Sequence, residues 1–277
     1  MKRKKIAVAL LAVCICFALS ACSFFIPTDS DSQQQSDSSS AAVEVPLPSG
    51  SDEWVPQTAQ ELSQKYAFTV SDPDGLLTPE VCAIVDETFQ IFSRPVVYGF
   101  LKGLEEQGRK FVLEFRDEES ENFGLTQYMS DQIKITIYSP RGSEYSALDN
   151  GITVETIAHE FGHALHDLIE WEYGTDRMER EWTSLNGPYS YGDSWDAQSS
   201  HYFMYNYGMD SYYEDVASVF EDLAAYPQTT AARISQQENL PLLQKVEYLF
   251  KLMDRCFDLS ESSLFDAYLN VHAQAAA

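Results

Sequence analysis

An α+β fold, built as one domain over residues 53–277, is predicted by three features of the sequence. Helical periodicity comes first, a pair of strand-like runs follows, and helical periodicity then dominates the C-terminal half. Hydrophobic residues make up 44% of the 277, enough for a packed core, so global disorder is excluded. No internal repeat divides the chain.

The elements follow in order. Leu77-Thr78-Pro79-Glu80 starts a helix, with Thr78 as N-cap and Pro79 at the first helical position. Val81, Ile84, Val85, Phe89 and Phe92 carry its apolar stripe to about residue 92. A second helix is expected over 96–107, stopped by Gly108. Residues 110–115 and 132–138 read as strands, the second alternating apolar and polar as a half-buried strand does. Asn122-Phe123-Gly124 and Pro140-Arg141-Gly142 supply breaks around it. A long helix begins at Thr153, because Val154, Ile157, Phe161, Leu165, Leu168 and Ile169 recur at steps of three and four. Residues 173–213 are rich in Gly, Asn, Ser and aromatics, eight Tyr among them, and read as an ordered loop. Within it, residues 182–189 suit either a cleft wall or aromatics packed beneath the loop. Helices return over 214–225, 241–257 and 261–271.

The first 52 residues belong to no part of that fold. Lys2-Arg3-Lys4-Lys5, an apolar run over residues 6–19 and small residues before a cut site make residues 1–21 a secretory signal. Leu19-Ser20-Ala21-Cys22 resembles the bacterial lipobox, which implies lipid on Cys22 after cleavage and an extracytoplasmic protein anchored to the bacterial cell membrane. Residues 22–52 hold nine Ser, a Gln33-Gln34-Gln35 run and few apolar groups, so they read as a flexible tether. Once Cys22 is lipidated and the signal removed, Cys82 and Cys256 remain, either as one disulfide or as two separate thiols.

Charge narrows the function. With 18 basic and 43 acidic side chains the chain carries −25, and a nucleic-acid partner is excluded, since a phosphate backbone needs clustered Lys and Arg. His159-Glu160-Phe161-Gly162-His163, inside the long predicted helix, is the specific signal. Residues four apart on a helix stack on one face, so both imidazoles can reach one Zn2+ ion while Glu160 stands beside it. A carboxylate there can act as general base on a zinc-bound water attacking a peptide or protein substrate. A third ligand at the later position of the longer His-Glu-x-x-His-x-x-Gly-x-x-His pattern is absent, because Ile169 stands there. Glu214, on the predicted helix 214–225, is the favoured carboxylate, with Asp176 a weaker candidate and Asp215 and Glu221 read as surface acids. His166 continues the same face as a structural or supporting histidine, or as a further contact.

His-Glu-x-x-His followed by a Glu on a later helix resembles the gluzincin zinc metallopeptidases, and Tyr207, seven residues before Glu214, is similar to a Tyr of lethal-factor-like peptidases. The resemblance covers about residues 130–225. It implies a zincin-like domain with a small sheet, an active-site helix and a helical C-terminal half. His159, His163 and Glu214 would bind zinc, Glu160 would be the general base, and Tyr207 would stabilise the oxyanion, with Tyr212 and Tyr202 behind it. Where many gluzincins carry an acid that orients a zinc-bound His, four residues after the ligand Glu, this chain has Ser218. Asp215 or a backbone carbonyl serves instead, or the site is weakened, and a catalytically decayed zinc-containing surface binding lipoprotein is the alternative. By analogy, the strand at 133–138 would border the cleft and pair with substrate, unless it is a plain core strand.

Overall fold

A computed structural model describes residues 54–120, 122–139, 152–236 and 239–275. All lie in the compact unit Leu47–Ala277. The signal at 1–21, Cys22, the tether at 22–52 and the break at 140–142 lie outside the described residues.

Helices and a small sheet share one core. In chain order they are α1 (Ala59–Tyr66), β1 (Thr69–Ser71), α2 (Pro79–Phe92), α3 (Arg94–Glu106), β2 (Lys110–Arg116), β3 (Gly124–Tyr128) and β4 (Gln132–Tyr138). The C-terminal half adds α4 (Val154–Tyr173), α5 (Thr175–Thr183), α6 (Tyr212–Ala225), α7 (Pro227–Ile234), α8 (Leu240–Cys256) and α9 (Ser263–Ala275). This mixture fits the α+β expectation. No helix among the described residues is long and apolar enough to cross a membrane.

The Thr78 cap read from sequence forms, and Thr153 caps the long helix in the same way. Thr78 Oγ1 accepts from the Val81 amide at 3.4 Å, and Thr153 Oγ1 from the Thr156 amide at 3.2 Å, each satisfying an amide that the helix leaves open. Gly174, at φ 99°, ends α4 in a conformation that side chains resist. Three helices lie outside the predicted set. α1, α5 and α7 span only eight or nine residues and bury two or three side chains each, too few to establish a period. The region expected as loop therefore contains α5 and three short 3₁₀ turns.

The sheet runs β1-β2-β4-β3, with β1, β2 and β4 parallel and β3 antiparallel at one end. Phe111, Leu113 and Phe115 of β2 stand beside Ile133, Ile135 and Ile137 of β4, forming one fully apolar face. Phe161 of α4 packs on that face. Its ring lies 4.9–5.2 Å from those of Phe89, Phe92 and Phe100, all edge-on, and 5.8 Å from that of Phe111. Pairs of this kind contribute about 0.5–1.5 kcal/mol each beyond the area they bury. Phe161 thus anchors α4 from inside the His-Glu-x-x-His motif and leaves the two histidines facing the other way.

α4 packs most extensively on α6. Gly162 permits this, since a Cβ there would lie 2.8 Å from the Phe220 ring of α6. Cys82 and Cys256 are both free thiols, so the disulfide alternative is not realised. Burial pushes each up to about 11.

Candidate metal centre

Two helices meet at the centre. α4 presents His159 and His163 one turn apart, both buried, with their Nε2 atoms 3.1 Å from each other. Glu214, in the first turn of α6, brings Oε2 to 3.0 Å from His159 Nε2 and 3.4 Å from His163 Nε2. Ser211 caps α6 by accepting from the Glu214 amide at 3.3 Å, and Ser218 Oγ donates to the Glu214 carbonyl at 2.6 Å. The Glu214 carboxylate therefore stands on a backbone pinned from both sides.

These three residues can hold a metal ion, since one donor atom from each lies within 4.8 Å of the others. Donors placed tetrahedrally at the usual zinc distances lie about 3.3 Å from one another. The observed 3.0, 3.1 and 3.4 Å match that spacing. Burial alone opposes a charge on His159, but the Glu214 and Glu221 carboxylates outweigh it and push the imidazole up to about 10. Burial likewise opposes ionisation of Glu214, yet hydrogen bonds from His159 and His163 hold its carboxyl well below the usual range.

Glu221 supplies the contact sought at Ser218. Its Oε2 lies 2.9 Å from His159 Nδ1 and also accepts from the Tyr205 hydroxyl. A carboxylate on Nδ1 fixes the tautomer that turns the bare Nε2 lone pair toward an ion. Neither Glu221 nor Asp215 is a surface acid. Asp215 is fully buried, and its Oδ2 accepts from Lys245 Nζ at 2.6 Å, Trp182 Nε1 at 2.8 Å and the Tyr191 hydroxyl at 2.9 Å. It therefore holds α5, α8 and the loop against α6 and does not reach the histidines. Asp176 sits exposed in the first turn of α5, outside the cluster.

Glu160 rests on β3. Its Oε2 accepts from Thr126 Oγ1 at 2.6 Å, and its side chain covers Gly124, where a Cβ would fall 2.5 Å from Glu160 Cγ. Tyr128, the last residue of β3, donates its hydroxyl to the His163 carbonyl at 3.1 Å. The strand that reaches the pocket is thus β3, through Gly124, and 133–138 is the plain core strand of the alternative: it is β4 and lies inside the sheet between β2 and β3. Gly124 reads as part of a break, and the four residues after it are too few to show a period although Thr126 and Tyr128 favour strands. Glu221 had a usable signal: it lies two turns after Glu214, on the same helix face.

The tyrosines separate by position. Tyr207 lines an open pocket of about 230 Å³ with Glu160, His159, Phe123, Tyr205 and Glu221, and its ring centre is 5.8 Å from that of His159. Tyr212 is buried elsewhere, its hydroxyl 2.7 Å from His166 Nε2. Tyr202 packs on Tyr189 and over Gly187. His166 takes no part in the cluster; it lies 3.6 Å from Glu170, and burial lowers it to about 3, so the ring is neutral. Trp182 packs beneath the loop and does not wall the pocket.

Comparison with protein-family models, with curated proteins and with solved structures gives no match to this chain.

Proposed function

We propose that this chain is a zinc-dependent metallopeptidase of zincin-like, gluzincin-type architecture, acting on a peptide or protein substrate outside the cytoplasm. The observation that carries the reading is the His159–His163–Glu214 triangle with Glu160 beside it, His159 and Glu160 lining one open pocket. His159, His163 and Glu214 would hold the ion, and two imidazoles with one carboxylate are donors that suit zinc. When bound, zinc supplies Lewis acidity to a water and to the carbonyl oxygen under attack.

The remaining work falls to side chains. Glu160 takes a proton from the attacking water and returns it to the leaving amine, so the peptide bond breaks with its protons balanced. Thr126 keeps the Glu160 carboxylate aimed until substrate arrives. Tyr207 donates its hydroxyl to the developing oxyanion. β3 is the end strand of the sheet, and an extended peptide can add along its outer edge by main-chain hydrogen bonds. The lipobox-like Leu19-Ser20-Ala21-Cys22 supports a lipid anchor in the bacterial cell membrane, with the tether at 22–52 carrying the domain above it. The decayed-site alternative has Ser218 as its main hint, and the Glu221 contact at His159 Nδ1 speaks against it.

Glu160→Gln tests the reading. The variant should bind zinc as wild type does and lose turnover by about 10²-fold or more, measured on a peptide pool by mass spectrometry. Wild-type turnover in this variant would overturn the assignment.

A further inference from the structure

Tyr205 and Tyr207 come from a segment with no strand or α-helix of its own. A 3₁₀ turn at Ser199–His201 leads through four residues to a second at Asn206–Met209. Carbonyls at the end of such a turn have no partner inside it and need one from elsewhere. Arg233, in the last turn of α7, provides it. Its Nη2 donates to the Ser200 carbonyl at 2.9 Å and the Phe203 carbonyl at 2.8 Å, while Nη1 donates to the Met204 carbonyl. Met204 directly precedes Tyr205.

Both ends of this segment are fixed. Asp222 of α6 lies 3.9 Å from Arg233 Nη1, and Asn239 Nδ2 donates to the Arg233 carbonyl. Beyond the tyrosines, Gly208 sits against α6, where a Cβ would lie 3.3 Å from Ser218 Oγ. Only the Arg fork reaches three carbonyls with two nitrogens; a lysine ammonium is a point donor.

We propose that Arg233 is a positioning residue: its guanidinium, bound to the carbonyls of residues 200, 203 and 204, sets where Tyr205 and Tyr207 stand over the metal centre. The inference rests on the hydrolytic reading above for its effect on rate. The zinc ligands come from α4 and α6, so they stay in place when the clamp is lost.

The test uses the full chain carrying Arg233→Met or Arg233→Lys. Arg233→Met should keep wild-type zinc content and KM within about twofold while kcat falls about tenfold or more, as a small misplacement of a reacting group does. Arg233→Lys should recover part of that loss, and it replaces the Met variant if that fails to fold. In a Tyr207→Phe background, Arg233→Met should cost less than about twofold further, since both act on one step. Amides 203–209 should exchange hydrogen faster in the Met variant, with those of α4 unchanged. Unchanged kcat, or a full additional loss on top of Tyr207→Phe, would overturn the proposal. If wild-type protein cleaves no peptide, the hydrolytic reading fails by itself, and exchange decides the clamp: faster rates at 203–209 uphold it and unchanged rates refute it.

Discussion

The His159 ring is held at both nitrogens, by Glu221 at Nδ1 and by Glu214 and His163 at Nε2. Such a ring cannot rotate or change tautomer without breaking a charged hydrogen bond. Removing the Nδ1 partner leaves the Nε2 ligand less basic and less well aimed. Glu221→Ala should therefore weaken zinc binding about 10–100-fold in a competition with a chromophoric chelator. Equal affinity would show that His159 is oriented by something else. Gly124 matters for a different reason. A side chain there would occupy the space of the Glu160 carboxylate, so only glycine lets the Glu160 side chain lie along β3.

α4 is the element on which the rest depends, and it was the most legible. Six apolar residues at helical steps marked it, and its length let the period show. Its lower half also carries a testable electrostatic consequence. Burial raises the Glu170 carboxyl to about 7 from an ordinary 4.5, against the lowering effect of the Tyr212 hydroxyl. In that window the unfolded chain gives up the proton first. The Glu170 contribution to stability therefore falls as pH rises from about 4.5 to about 7, then levels off, by roughly 2–4 kcal/mol. Glu170→Gln should remove that decline in urea unfolding measured at both ends of the window; parallel curves would contradict it. The short elements were hidden for a physical reason. β3 is Gly-Leu-Thr-Gln-Tyr, too short for a period to show although Thr and Tyr favour strands, and its pairing with β4 completes it. Asp215 and Glu221 looked like surface acids because their burial depends on Lys245 and His159, at 30 and 62 residues' separation.

At the scale of the molecule, the centre joins the two halves of the fold. Its histidines stand on a helix packed against the sheet through Phe161, and its carboxylate stands on α6, within the helical C-terminal half. An ion bound at that junction stabilises the native state over the unfolded chain by mass action. A chain carrying −25 also attracts cations of every kind, so stoichiometry and site dependence must be measured together. The direct measurement is elemental analysis of wild-type protein purified without chelators, beside His163→Ala. One zinc per wild-type chain and less than about a tenth in the variant is the expected result. Folded wild-type protein that is free of transition metal, and takes up none when zinc is added, would contradict the metal centre.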